Sequence, residues 1–594
     1  MSAIDTRGDF AADWRLLRIT AIAACIGALG TVAAHVLLLL IRFFTNLFFF
    51  QTLSVAEHSP ATHTLGLWVI AVPVIGGLVI GCIARFGSEK IRGHGIPEAI
   101  EAILFGKSKM SPKVAILKPL SSGIAIGSGG PFGAEGPIIM TGGAIGSLIA
   151  QYFHLTSVER KTLLVAGATA GMTAVFGTPL AAVLLAVELL LFELRPRSLL
   201  PVAVACAVAG FTRPLLFDAG PLFPLQTPMP GVLDLASCVL AGLLAGALSW
   251  LMSTSLYKVE DWFARLPLHW MWWPALGGLA VGIGGYLEPR ALGVGYDVIG
   301  ELLQQHLAAR FVLGFLICKA LMWIIALGSG TSGGVLAPLL MLGAGLGVLL
   351  APLLPGTTPA LWPLVFMAAT LGGMMRAPMM AVIFAFELTH DANALLPLLT
   401  ASAVAYGFTV LTMSRSILTE KIARRGYHIY REYGVDSMER HSVAEVMART
   451  TDAIDANASI ADTLAAHFND AQSHLPRPVV RDGAVLGMAN RAALIAGMDK
   501  PGISKMSDLF GMNPPIVALP EESCRTVAGR LAVHDLGRVP VVADVQSHRL
   551  IGVVSRADLL KPLAGVFEEE QRREALRALP LRRWGKDAED EDED

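Results

Sequence analysis

The sequence predicts an all-α polytopic membrane protein followed by a smaller hydrophilic α/β region. Of its 594 residues, 54% are hydrophobic and 16% charged, against about 25% charged in soluble chains; the mean hydropathy is +0.58. From Ala320 to Met375 there is not one Asp, Glu, Lys or Arg. Near Ser414 the apolar blocks give way to a mixed text of short strand and helix patterns. This composition excludes an ordinary cytoplasmic enzyme, and a net charge of −2 offers no basic field for nucleic acid.

Met1 to Arg18 is mixed in charge and lacks the architecture of a cleavable signal, and Ile19 to Phe50 is too long for a signal core, so it reads as a retained helix. Leu235 to Tyr257, bounded by Asp234 and Lys258, is also long enough to span. Other apolar blocks are cut by Gly and Pro into pieces of about ten residues, too short to cross a bilayer alone. Broken helices at membrane depth are tolerated only where protein buries them or they line a cavity, so they point to a transport site. Arg7, Arg15 and Arg18 precede the first segment, Arg85, Lys90 and Arg92 follow the second, and Gln51 to Thr64 has no Lys or Arg. By the positive-inside rule both termini are expected on the cytoplasmic side, in a bacterial-type inner membrane. The cysteines Cys25, Cys82, Cys206, Cys238, Cys318 and Cys524 have no metal-ligand spacing and read as small buried hydrophobes. No metal site and no catalytic residues are expected.

The apolar region repeats itself. G-S-G-G-P-F-G-A-E-G-P-I-I-M-T-G-G-A-I-G (127–146) matches G-S-G-T-S-G-G-V-L-A-P-L-L-M-L-G-A-G-L-G (328–347). Each copy continues into a Pro followed nine residues later by Glu-Leu: Pro179 to Glu188, and Pro378 to Glu387. Two membrane halves on one plan place a site where the broken helices meet; whether the halves are inverted is not legible in the sequence.

Gly127 to Pro137 is the densest signal. Glycine lets backbone N–H groups approach a ligand, proline starts a helix, and a helix N-terminus attracts anions. Gly333 to Pro338 offers the same device from the other half, and Gly93-His94-Gly95-Ile96-Pro97 offers a third copy. Three such helices aimed at one point would hold a small anion; packing glycines are the plainer alternative. G-A-G-L-G at 343–347 has no preceding strand and reads as helix packing. Glu135 lies inside the anion-attracting segment, where a carboxylate is costly and is a functional candidate. Ionised, it can occupy the anion site; protonated, it can leave, which makes it a gate and a proton carrier.

G-x-G-I-P, G-x-E-G-P and G-G-V-L-A-P in this order resemble the CLC family of chloride channels and chloride/proton antiporters, over roughly residues 15–425. The resemblance implies about eighteen tilted, broken helices in two inverted repeats, and a homodimer with a pore in each subunit. It makes Glu135 the external gating and proton glutamate. It makes His94, Gly95, Ile96, Gly133, Gly136, Val335 and Leu336 the anion-binding residues. Three departures accompany it. His94 replaces the usual Ser and brings a ring donor that can also titrate. Ala134 replaces the Arg of G-R-E-G-P. Leu418 stands where the pore Tyr is expected. The internal proton-carrying acid falls on Leu189, leaving Glu188 and Glu193 as candidate relays or as structural helix-end carboxylates.

After Ser414 a second repeat opens at S-V-A-E-V-M (442–447) and K-M-S-D-L-F (505–510) and closes at 485–494 and 550–560. It resembles a tandem pair of CBS domains, in which Ser555 and Asp558 match the nucleotide-holding ending and Asn490 and Ala493 do not. A structural role in dimerisation and adenine-nucleotide sensing both remain open. The expected division is a cytoplasmic N-terminus (1–15), a transmembrane anion-transport domain (16–425), a linker (426–440), CBS domains at 441–500 and 501–565, and a charged, disordered tail (566–594). The expected function is chloride transport, as a voltage-gated-type channel or a proton antiporter, with no required cofactor. Its partners are chloride, protons and the lipid bilayer. A passive channel, or a carrier of nitrate or fluoride, is the alternative. A CBS-regulated cation transporter is remoter, because the repeated segments lack pore carboxylates.

Overall fold

Glycine and proline decide where the apolar text becomes helix, and they do so twice in the same order. The computed structural model describes residues 14–356, 359–427, 429, 437–449, 452–468, 475–500, 502–510 and 514–571. It divides near residue 431 into two units. The first half of the membrane unit holds α1 (Arg15–Phe50), α2 (Ala71–Phe86), α3 (Ile96–Leu104), α4 (Pro112–Gly127), α5 (Glu135–Gln151), α6 (Ser157–Phe176), α7 (Pro179–Leu185) and α8 (Pro196–Thr212). The second half holds α9 (Val232–Ala264), α10 (Trp273–Leu287), α11 (Tyr296–Leu303), α12 (Ala309–Gly328), α13 (Leu336–Leu350), α14 (Trp362–Met375), α15 (Pro378–Thr389) and α16 (Leu395–Thr412). A short α17 (Ile417–Arg424) follows. Long α1 and α9, short α3 and α11, and proline-started α7 and α15 are mates. Seven segments among the described residues are long and apolar enough to cross a membrane.

The packing of α2 against α10 shows how the halves are related. A Cβ at Gly77 would meet the Pro274 carbonyl at 2.3 Å, and one at its mate Gly278 would meet the Pro73 carbonyl at 2.3 Å. Gly81 approaches the Met271 carbonyl in the same way, and Gly282 the Ile70 carbonyl. Contacts exchanged between mates require a two-fold axis. As the numbers on α2 rise, their partners' numbers fall, so the two helices are antiparallel. α2 lies in a segment that meets the spanning criterion; an axis perpendicular to that helix and to the helix antiparallel to it lies in the membrane plane, and the repeats are inverted.

Cys206, Cys238 and Cys524 are buried, but Cys25 and Cys82 are exposed, which corrects the reading of all six as buried. They sit on outward faces of α1 and α2, where apolar surface has lipid as its solvent.

In the second unit, α18 (Ser437–Arg440) and α19 (Val443–Val446) precede β1 (Ile454–Asp455), α20 (Ile460–His467), β2 (Arg477–Arg481), β3 (Ala484–Ala489) and α21 (Arg491–Met498). Then come α22 (Cys524–Val533), β4 (Arg538–Val542), β5 (Leu550–Ser555) and α23 (Arg556–Gln571). β2 pairs parallel to β1 and antiparallel to β3, and β4 pairs antiparallel to β5. The openings of the two sequence repeats are exchanged. Val443 and Val446 pack into the core of Val527, Val539, Val554 and Leu559, while Met506 packs with Ile454, Val479 and Leu494. Backbone bonds between Ala448 and Val553, 2.9 Å in each direction, tie the first opening to the second ending. α23 runs to Gln571, into the stretch expected to be a disordered tail; the acidic run from Asp587 and the N-terminal residues 1–13 lie outside the described residues.

Candidate anion site at the crossing of the repeats

α5 and α13 begin beside one another, and their preceding loops are joined: Gly334 N donates to Gly133 O at 3.0 Å. Glu135, the first residue of α5, is 0% exposed. Its Oε1 accepts the N–H of Leu336, the first residue of α13, at 2.5 Å, and the backbone N–H groups of Val335 and Ala337 also act on the carboxylate. A Cβ at Gly133 would lie 1.9 Å from Glu135 Oε2, and one at Gly334 2.2 Å from Oε1. Only glycine there lets the carboxylate fold onto the opposite helix terminus. A Cβ at Gly136 would strike the His94 carbonyl at 1.9 Å, which brings the third Gly/Pro segment to the same place. The structure therefore gathers His94, Gly95, Ile96, Gly133, Glu135, Gly136, Val335 and Leu336 around one point. Gly95 differs from the expectation of a free amide: its N–H donates to Glu98 Oε2 at 3.1 Å. Its φ of +89° makes its role one of backbone conformation.

His94 is 3% exposed, and neither ring nitrogen has a partner among the described residues. It lines a cavity of about 550 Å³ together with Glu98, Tyr257, Lys421 and Arg425. Glu98 Oε1 is held by Lys421 Nζ at 3.2 Å and by Arg425 Nη2 at 2.7 Å. Lys118, Lys421 and Arg425 all act on the ring against the single Glu98. With both ring nitrogens unpartnered, the ring can offer an N–H to an anion at the site. Leu418 is buried and apolar. The hydroxyl of Tyr257 does not replace the missing pore Tyr, because it donates to Ile417 O.

Sequence reasoning missed two lysines. Lys118 Nζ donates to Ile91 O and Gly93 O, both at 2.8 Å; Lys319 Nζ donates to Ala291 O at 2.9 Å and Gly293 O at 2.8 Å. Each clamps the turn that leads into a short helix, α3 or α11. The signal was in the text: each is a lone Lys nine residues before a G-S-G motif.

The repeat-mate glutamates exchange places. Glu387 accepts from Leu180 N (3.0 Å) and Ala181 N (2.8 Å) at the start of α7. Glu188 accepts from Met379 N (3.3 Å) and Met380 N (2.8 Å) at the start of α15. Each carboxylate satisfies N–H groups that a helix start leaves open. Glu188 sits where α7 widens into a π-helical turn, Ala186–Leu191, a local widening that often marks functional segments. Leu189 is buried. Glu193 lies beyond that turn, accepting from Ser198 Oγ at 2.5 Å, with Arg195 Nε at 3.8 Å.

Residues 75–410 match the family model described as voltage gated chloride channel. The chain belongs to the CLC family. Residues 506–565 match the CBS domain model. The voltage-gated ClC-type chloride channel ClcB of Citrobacter koseri is 32% identical over 372 residues, covering 60% of this chain and 86% of that protein. A slow cyanobacterial Cl⁻/H⁺ antiporter shares the fold with a TM-score of 0.61 at 22% identity, over 70% of this chain and 98% of its own. A eukaryotic CLC transporter matches with a TM-score of 0.61 at 19% identity, over 92% of this chain and 98% of its own. CLC membership makes this a membrane protein of a chloride-transporting family.

In the second unit, Ser555 and Asp558 serve each other. Ser555 N (3.0 Å) and Oγ (2.6 Å) donate to Asp558 Oδ2, and Asp558 N returns a bond to Ser555 Oγ at 3.2 Å. Lys561 Nζ lies 2.7 Å from Asp558 Oδ1. Burial works to raise the proton affinity of Asp558, but the bonds from Lys561 and Ser555 prevail and hold its carboxyl below the usual range.

Proposed function

We propose that this CLC protein carries chloride across the membrane through one pore per subunit of a homodimer, with Glu135 as the gate. The carrying observation is Glu135 Oε1 on the N–H of Leu336. A side-chain carboxylate there holds the place that the backbone offers to a small anion, so anion and carboxylate compete for it. Val335 and Leu336 from one half, and Gly133, Gly136, Ile96 and the His94 ring from the other, are the groups we assign to the anion. The donors are dipoles rather than fixed cations, which suits passage better than tight retention. We place both termini on the cytoplasmic side, which the basic residues flanking the first two apolar segments support. The expected result is chloride efflux from liposomes that carry the purified protein, above the rate of protein-free liposomes. No anion flux between acid and neutral pH, at any imposed voltage, contradicts the reading.

For the CBS unit we propose a structural role rather than nucleotide sensing. Asp558 is engaged by Ser555 and Lys561 at the start of α23, so a ribose hydroxyl would have to displace both. Titrating ATP or AMP into the purified protein is expected to give no heat of binding. Heat that vanishes in Asp558→Ala overturns this and makes the pair a sensor. Without nucleotide, Asp558→Ala is expected to destabilise the second unit by about 1 kcal/mol, the usual cost of a lost helix cap.

A further inference from the structure

The cavity of about 550 Å³ that the His94 ring lines has walls with an excess of positive charge. Among the described residues around it, six are cations, four of them Lys90, Arg92, Lys421 and Arg425, and four are carboxylates, including Glu98 and Glu101. A cleft with two positive charges in excess draws anions and turns cations away. One of these cations is placed to bond an anion as well as attract it.

Lys421 lies one helical turn after Leu418 on α17. The first turn of that helix is fixed by Ser416, whose Oγ accepts from Thr419 N at 3.3 Å, and by the Tyr257 hydroxyl, which donates to Ile417 O. Lys421 Nζ stands 3.2 Å from Glu98 Oε1, and among the described residues Glu98 is its one partner. An ammonium carries three N–H donors, so two are left over. Glu98 is more fully engaged: Arg425 Nη2 shares its Oε1 at 2.7 Å, and Gly95 N donates to its Oε2 at 3.1 Å. A Cβ at Gly93 would lie 2.1 Å from Lys421 Nζ. Glycine at that position is what lets the ammonium rest against the backbone next to His94, whose ring nitrogens also lack partners among the described residues.

We propose that Lys421 is an anion-capturing residue of this cavity. Its spare N–H groups take up a chloride ion beside the His94 ring, before the ion reaches the crossing of the repeats. The donor that Leu418 does not supply from α17 is thereby provided one turn further along the same helix. Because Lys421 shares its charge with Glu98, the anion is drawn in and released again. This inference rests on the chloride-transport reading and adds a binding step to it.

The test is the dependence of liposome flux on chloride concentration, measured with the full-length protein. In Lys421→Gln the concentration for half-maximal flux is expected to rise about tenfold, the usual scale for one hydrogen bond to a charged group. Lys421→Arg keeps charge and donors and is expected to stay close to the wild-type value. Lys421→Gln also takes a cation from the buried Glu98, so Lys421→Gln/Glu98→Gln, which removes both charges of the pair together, is the deciding variant. The rise is expected to persist in it. A return to the wild-type value there overturns the inference, because Lys421 then serves only to neutralise Glu98. An unchanged value in Lys421→Gln overturns it as well. Should Lys421→Gln fail to fold, the double variant carries the test with the same two outcomes. Absence of chloride flux in the wild-type protein overturns the transport reading and this inference with it.

Discussion

Replacing Glu135 by Gln is expected to make anion flux independent of pH and to abolish any proton movement coupled to it. Glutamine keeps the shape of the side chain but not its charge. In the shut state the carboxylate competes for the start of α13 with two advantages over a neutral amide. A helix N-terminus favours a negative charge by up to about 2 kcal/mol, and a hydrogen bond to a charged group exceeds a neutral one by about 1 kcal/mol. Together these amount to about 3 kcal/mol, on the order of a hundredfold in occupancy at 1.4 kcal/mol per tenfold. The wild-type protein is expected to slow as pH rises, because deprotonation returns the carboxylate to Leu336 N–H. The Gln variant is expected to run at its acid-pH rate throughout. Chloride efflux from liposomes at about pH 3.5 and 7.5 checks this, a range that straddles the ordinary carboxylate and histidine pKa values. A variant that keeps the wild-type pH response contradicts it.

What the sequence made legible has a common physical character. The repeat at 127–146 and 328–347 could be read because helix starts at membrane depth need glycine and proline in a fixed local order, and local order is what a sequence displays. Glu135 stood out because an acid in that text is rare. The features that stayed hidden depend on residues far apart in the chain. Glu188 and Glu387 each share a Pro-to-Glu spacing with the other, but nothing local says that each serves the other's helix. The clamps made by Lys118 and Lys319 join residues 25 to 28 positions apart, and a single Lys in apolar text gives no hint of its acceptors. Gly95 looked like a free anion-binding amide because the capping of its N–H by Glu98 is a matter of side-chain direction. The CBS openings were paired by sequence adjacency, whereas the cores exchange them. Inversion of the halves became visible only in the antiparallel register of α2 on α10.

A chloride gradient imposed on sealed liposomes, with the voltage clamped by an ionophore, is expected to drive protons uphill. The reasoning turns on which acid can pass a proton toward Glu135. A proton crosses apolar packing only through titratable stations or water, and the expected station is Leu189, which has none. Glu188 is the nearer acid, but both its oxygens accept backbone N–H groups at the start of α15, and a carboxylate so engaged is held in place as a helix cap. Glu193 is different: its side chain is 20% exposed, with a hydroxyl, Ser198 Oγ, as its near neighbour. It is open to water and can turn without unmaking a helix start. We therefore assign the internal relay to Glu193. Glu193→Gln is expected to abolish uphill proton movement while chloride continues to flow. Glu188→Gln is expected to keep the coupling, since its one amide oxygen still accepts from α15, and to cost about 1 kcal/mol of stability through the bond its NH2 group cannot accept. Coupling that dies in Glu188→Gln and survives in Glu193→Gln reverses the assignment. Chloride flow without proton movement in the wild-type protein makes it a passive channel, with Glu193 an acid bound to Ser198 and Arg195.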